Sequence, residues 1–436
     1  MICLDTLGAP HLSSFGNVSG VSPNIDKFLG QAFSFRRAYA QYPSTLSSHA
    51  SLFTGLYPRS HGLYGEIDNS HLDKATLASV LAHHGYLTVA ITEDAYVSSD
   101  FGFDTGFDWY DNGEADFTQG FAGGAQATFD KASRWLDEYG SHSTFFLFVH
   151  TYEVHAPYTI KDAPARAIAD LIAPDYRGTF SDFYPGRLPM LAHNSGRAPH
   201  SAADLTRLRA LYAGEINYLD RLLGQFLLHL EATGLAGRTL IVLLSDHGEE
   251  FGEHGKIGHG ETLHNQVLHV PLGFRLPGRG SSASSESPVE IVDVMPTILE
   301  LIAVPAPPVD GQSLVPLMDG SAPQAAIAIS ELRTAWGECR RLRLPDGCRI
   351  EGLAVQDSRF KLMTSKIPVR ELFYDLTTDP LETRDARGDF PAELEHHRKL
   401  LTEYAAGTLS QPPAAVAPMQ VGEETRERLR ALGYTE

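Results

Sequence analysis

Cysteine is scarce in this chain, three among 436 residues, and positive charge is in short supply. Three cysteines are too few for a disulfide scaffold or a cysteine-built zinc site. Lys and Arg number 35 against 54 Asp and Glu, a formal charge of −19. Binding to nucleic acid or to an anionic membrane needs a basic face, and this balance argues against both. An anionic small substrate stays open, because a bound metal ion reverses the local sign of charge. No apolar run approaches the ~18 residues of a membrane span; the strongest, Phe145-Phe146-Leu147-Phe148-Val149, has the length of a strand. No signal peptide precedes Ile2-Cys3-Leu4-Asp5, so the expectation is a cytoplasmic protein or a sequence that begins inside a longer gene product.

What is present is globular. Hydrophobic residues make up 43% and aromatics 10%, enough for a sizeable core. The length is about three times the ~150 residues of a typical domain, which predicts one large α/β domain with a smaller partner. β-Branched or aromatic runs at 86–92, 144–149 and 239–244 read as buried strands. Between them, 71–84, 125–139 and 203–230 carry apolar residues at helical spacing. This alternation predicts a mostly parallel sheet flanked by helices, over a first domain 1–325. Residues 158–202, rich in Pro, Gly, Ala and Ser, read as a surface insertion. Residues 278–288 read as a flexible connector and 289–302 as a helix. From 326 to 436 the texture changes to a small C-terminal α+β domain, with antiparallel strands at 327–332, 350–356, 359–364 and 371–376. A helix at 391–405 closes it, and a Pro/Ala-rich tail and a short charged helix follow.

Acids, hydroxyls and histidines fall where the strands should end, the place where open α/β sheets bind ligands. Asp5 follows Ile2-Cys3-Leu4, and His155 follows the 145–149 run by a few residues. The run Ser245-Asp246-His247-Gly248-Glu249-Glu250-Phe251-Gly252-Glu253-His254 packs acids, imidazoles and glycines together, and His259, His264 and His269 extend it. Carboxylate and neutral imidazole are natural ligands for Zn²⁺, Mn²⁺ or Fe²⁺, while an oxygen-rich site suits Ca²⁺. Ser44-Thr45-Leu46-Ser47-Ser48-His49 reads as a helix start, where free N–H groups attract anions, and Gly55 as its stop. Capping by Ser or Thr explains the same hydroxyls without any chemistry. Cys339 and Cys348 flank the turn signal Pro345-Asp346-Gly347; a disulfide and two free thiols are equally compatible with it.

Asp5-Thr6-Leu7, Ser22-Pro23-Asn24-Ile25-Asp26, Ser44–Gly55 with Leu56-Tyr57-Pro58, and Ser245–His254 together resemble the sulfatase family of the alkaline-phosphatase superfamily. Val270-Pro271-Leu272, Asp310–Leu314 and Glu371–Leu376 extend the resemblance, which runs to Leu432-Gly433-Tyr434. It implies the alkaline-phosphatase-like fold, with metal ligands at Asp5, Asp246 and His247. It also implies a start shortened within the first strand, and it leaves export open. The family's nucleophile motif has Cys or Ser, a Pro two residues on, an Arg four on, and Thr-Gly at the end. Here those positions are Thr45, Ser47, His49 and Thr54-Gly55. Sulfatases oxidise the Cys or Ser to formylglycine, and threonine cannot become that aldehyde. Related phosphatases and phosphodiesterases use an unmodified Thr or Ser.

The implied reaction is metal-dependent hydrolysis of a phosphate mono- or diester through a covalent Thr45 intermediate, with Zn²⁺ or Mn²⁺ favoured and Ca²⁺ an option. Thr45 would itself join the metal's ligands. His259, where many sulfatases have a substrate-contacting lysine, is the expected leaving-group acid. His155, matching the family's His before Pro157-Tyr158, would hold substrate oxygens or join a second metal with Glu153. Lys256 is a substitute cation near the substrate, and His49 stands in the arginine's place. The substrate expected is an anionic small molecule or a glycan or lipid ester. Alternatives are sulfate-ester hydrolysis, phosphoryl transfer to an alcohol, and a degenerate ligand-binding homologue.

Overall fold

The apolar runs form strands because both faces of the sheet are covered, so successive side chains enter opposite cores. The main sheet holds β1 (Ile2–Leu4), β2 (Phe33–Tyr39), β3 (Leu87–Ile91), β4 (Trp109–Asp111), β5 (Phe145–Thr151), β6 (Ile241–Leu244), β7 (His269–Arg275) and β8 (Ala283–Ser285). Their spatial order is β8-β2-β7-β6-β1-β5-β3-β4, and the pair Val289–Glu290 adds to β2. Strands β6, β1, β5, β3 and β4 run parallel, while β7 is antiparallel to β6 and β2. Cys3, Phe146, Phe148, Val242 and Leu244 bury into one core; Ile2, Leu4, Leu147, Val149, Ile241 and Leu243 bury into the other. The computed structural model describes residues 1–17, 20–64, 71–113, 124–278, 282–321, 327–334, 350–366, 369–408 and 427.

Helices α1 (Pro23–Gln31), α2 (Thr45–Thr54), α3 (Leu77–His83), α4 (Ala125–Trp135), α5 (Ala163–Ile172), α6 (Ala202–Ala232) and α7 (Val294–Leu301) surround this sheet. The helix expected over 71–84 starts only at Leu77, because Thr76 and Ser79 form a reciprocal cap there. The 158–202 segment is more ordered than its composition suggests. It contains α5, the helix Arg187–Asn194, and a strand pair between Tyr158–Thr159 and Phe183–Tyr184. Buried Ala165 and Ala169 let α5 lie close on α6, where a Cβ at Gly214 would come within 2.9 Å of the Ala165 carbonyl. Helix α5 is short and sits among Pro, Gly, Ala and Ser, so its buried face is made of alanines that composition alone does not mark as core. Likewise the 278–288 connector supplies edge strand β8, and 289–302 begins extended before α7.

Strands β9 (Ala328–Thr334), β10 (Ile350–Gln356), β11 (Phe360–Lys366) and β12 (Val369–Asp375) form a separate antiparallel meander. Helix α8 (Pro391–Thr408) covers it through Leu394 and Leu401, which pack with Val355, Leu362 and Phe373. Cys339, Cys348, the 409–418 tail and the helix expected after it lie outside the described residues. No helix among the described residues is long and apolar enough to cross a membrane.

Candidate active site

Parallel register brings the first chemistry together. Cys3 pairs with His150 on one side and Leu244 on the other, so β1, β5 and β6 end level. Asp5, His150 and Asp246-His247 therefore share one crevice at the carboxyl edge of the sheet. The Asp5 amide donates to the Thr151 carbonyl at 3.1 Å, and the Thr6 amide donates to Asp246 Oδ1 at 3.0 Å. Ser245 Oγ accepts from the Leu7 amide and donates to the His247 carbonyl, both at 2.9 Å. These bonds lock the two ligand-bearing turns to each other.

Helix α2 points its first turn at that crevice. Thr45 is its first residue, and Gly55 ends it with φ 65°, a left-handed conformation that favours glycine. Ser48 Oγ donates to the Asp246 carbonyl at 2.6 Å, which holds the helix against the Asp246 turn. Thr45 Oγ1 then lies 3.2 Å from His247 Nε2. His247 Nδ1 is 2.9 Å from the Gly248 carbonyl. A carbonyl only accepts, so Nδ1 carries the proton and Nε2 turns its lone pair to Thr45. By the same logic, His49 Nδ1 donates to the Thr45 carbonyl at 3.0 Å and His155 Nδ1 to the Ala156 carbonyl at 2.6 Å.

Asp5, Thr45, His49, Asp246 and His247 are all fully buried. Burial and the neighbouring Asp246 carboxylate push Asp5 well above the usual carboxylate range. Burial pushes Asp246 the same way, but His247, His49 and His150 outweigh it and hold its carboxyl well below that range. Burial lowers the His247 and His259 imidazoles to about 4 and His155 to about 3, keeping them neutral, the form that ligates metal. Among the described residues, the ion pairs of Asp5 and Asp246 are with histidines only. Asp246 Oδ2 has no hydrogen-bond partner. Two buried carboxylates, an orphaned oxygen and neutral imidazoles together fit a divalent cation, and ligand atoms of Asp5, Asp246 and His247 lie within 4.8 Å of one another.

His259 stacks beside this group, its ring 4.3 Å from His247 and 5.1 Å from His155. Its Nδ1 is 2.9 Å from Glu249 Oε1, and Tyr158 donates to Glu249 Oε2 at 2.5 Å. Burial raises Glu249 to about 7. The structure thus gathers Asp5, Thr45, His49, His155, Asp246, His247 and His259. It turns two expected residues elsewhere. Glu153 accepts from the Ala125 amide and pairs with Lys161 at 3.0 Å. Lys256 pairs with Glu261 at 2.9 Å and donates to the Asn194 carbonyl. His254 and His264 stack 3.4 Å apart, away from Thr45 contacts, and His269 faces the Arg36 carbonyl. Sequence reasoning passed over His150 and Glu249. His150 lies inside the apolar run of β5, and Glu249 is one of several acids after Asp246; only register and hydrogen bonding single them out.

A family model described as Sulfatase matches residues 1–304. Among curated proteins, the chain is 26% identical to the "Multifunctional alkaline phosphatase superfamily protein PehA" of Trinickia caryophylli, over 89% of each chain. It is 22% identical to an arylsulfatase of Clostridium perfringens (strain 13 / Type A), over 93% of this chain and 94% of that one. Among solved structures, the phosphonate monoester hydrolase of Agrobacterium radiobacter superposes with a TM-score of 0.71 at 24% identity, covering 94% of this chain and 96% of that one.

Proposed function

The chain belongs to the sulfatase family and is a hydrolase of sulfo- or phospho-esters, and from that premise we propose that it cleaves phosphate esters with the Thr45 hydroxyl as nucleophile. One observation carries the choice: the residue at the start of α2, with its hydroxyl 3.2 Å from His247 Nε2, is a threonine. Oxidation of threonine yields a ketone, so the formylglycine route to sulfate esters is closed, whereas a hydroxyl can attack phosphorus directly.

Asp5, Asp246 and His247 would hold a divalent cation, which supplies Lewis acidity to lower the hydroxyl's pKa and offset the ester's charge. The Thr45 hydroxyl loses its proton to solvent and its oxygen displaces one alcohol from phosphorus, giving a phosphorylated threonine that keeps any second ester or carbon substituent. Water then cleaves the Thr45 O–P bond, releasing the phosphate, monoester or phosphonate and restoring the hydroxyl. Once the bound anion draws a proton onto Nε2, His155 and His259 would donate from it to the ester oxygens. The bound anion raises the proton affinity of His259, which then protonates the departing alcohol. Glu249 keeps the His259 ring aimed through Nδ1. Purified protein reloaded with Mn²⁺ or Zn²⁺ is expected to turn over 4-nitrophenyl phosphate, bis(4-nitrophenyl) phosphate or a phenyl phosphonate ester orders of magnitude faster than 4-nitrophenyl sulfate. The reverse order would overturn the reading in favour of sulfate esters, the chemistry named for the Clostridium perfringens relative.

A further inference from the structure

The geometry points to a second divalent cation in this chain, held by Asp5, His49 and His150 and sharing the Asp5 carboxylate with the first. The inference rests on the ester-hydrolase reading only in that Asp5 belongs to both sites. The three side chains come from the end of β1, the second turn of α2 and the end of β5. Each is fully buried, and their ligand atoms lie within 4.8 Å of one another.

One lone pair there has nothing to meet, and a second ring nitrogen meets only the Asp5 carboxylate. His49 donates through Nδ1 to the Thr45 carbonyl, so its Nε2 is an acceptor, and that atom is buried without a partner. His150 Nε2 faces Asp5 Oδ2 at 3.2 Å, while its Nδ1 is also unpartnered. Two ligands sharing one tetrahedral ion at ~2.0–2.1 Å are held about 3.3–3.4 Å apart, close to this separation. The His49 ring lies 4.9 Å from the His150 ring and 6.2 Å from Phe103 and Phe148, with Asp246 Oδ2 3.4 Å from its Nδ1. A buried imidazole nitrogen with no donor near it is costly unless something electron-poor fills the gap.

Charge points the same way. Position 49 is where the family's motif carries arginine, a permanent cation, and this chain has a metal-ligating side chain instead. One carboxylate with two neutral imidazoles suits Zn²⁺, Mn²⁺ or Fe²⁺ better than Ca²⁺ or Mg²⁺. The other histidine cluster, His254, His264 and Glu382, lacks this need, because Lys361 already stands 2.6 Å from Glu382.

The test uses the full chain, stripped by chelation, reloaded with Mn²⁺ and dialysed, with bound Mn²⁺ counted and its electron paramagnetic resonance recorded. Wild type is expected to hold two Mn²⁺ per chain with a spin-coupled spectrum, the signature of adjacent ions. His150→Gln and His49→Gln should each drop to one Mn²⁺ with an uncoupled spectrum and an intact circular-dichroism signal. Should one variant misfold, the other and the wild-type count decide. A single uncoupled ion in wild type that survives both substitutions overturns the second site and leaves the first standing. Two uncoupled ions also overturn it, placing the extra ion elsewhere. No bound metal in wild type overturns both sites.

Discussion

In the proposed reaction Thr45 supplies the attacking oxygen and His259 protonates the leaving one, so their substitutions separate at the scale of single residues. Thr45→Ala removes the attacking atom while Asp5, Asp246 and His247 remain. Turnover of an aryl phosphate should fall by on the order of 10³-fold or more, with little change in bound metal, and Thr45→Ser should recover part of it. Equal activity in Thr45→Ala would remove Thr45 from the reaction. His259→Ala acts on the leaving oxygen. The loss should reach about 10²–10⁴-fold with an alkyl ester and be far smaller with a 4-nitrophenyl ester, whose oxygen departs without a proton. Equal losses on the two esters would place His259 in binding instead. Asp5, Thr45, Asp246, His247 and His259 were marked as candidates in the sequence by the family resemblance, and the structure brings them together. His150 was not: as the sixth residue of an apolar strand it reads like core, and only its pairing with Cys3 sets it beside Asp5.

Between elements, the C-terminal meander is tied to the catalytic domain by buried charge. Lys361 of β11 pairs with Glu382 at 2.6 Å and donates to Asn265 Oδ1 at 2.8 Å, while Glu382 accepts from the Asn265 amide at 2.6 Å. Lys361 and Glu382 are almost completely buried. Lys361→Met would strand the Glu382 carboxylate, so chemical denaturation should show a loss of about 3–5 kcal/mol. Burial alone would raise Glu382, but Lys361 and His264 overcome it and hold the carboxyl at about 2. A depressed folded-state value makes the unfolded chain the better proton binder between pH 4.5 and 2. Wild-type stability should therefore drain away as pH falls through that window, and Glu382→Gln should flatten the slope of melting temperature against pH. The meander's strands were readable from their texture, whereas this tether was not, since its two partners carry no periodic signal. Helices α5 and α6 make the same point: which small residues meet between them, Ala165 against Gly214, is set by the packing and not by either helix's own pattern.

For the whole molecule, a cation bound to the folded state alone adds stability by mass action. At 100 times its dissociation constant the gain is about 2.7 kcal/mol, so chelation should lower the melting temperature and Mn²⁺ or Zn²⁺ should restore it. Asp246→Asn should abolish that recovery; a melting temperature indifferent to metal would argue against a cation at this centre. The charge of −19 does not oppose an anionic substrate, because the field at Thr45 is set by buried ligands rather than by the surface total. The sequence by itself determined the class of fold, the order of the motifs and the identity of the residue in the nucleophile's position. The fold class follows from local periodicity, and the rest from short motifs that resemble the family's, neither of which needs a partner. Only the tertiary structure decided that His150 meets Asp5 across 145 residues, that His49 keeps a buried Nε2 without a partner, and that Glu153 and Lys256 pair elsewhere. Those meetings depend on strand register and on which buried charge finds which partner, and neither is written in any one stretch of chain.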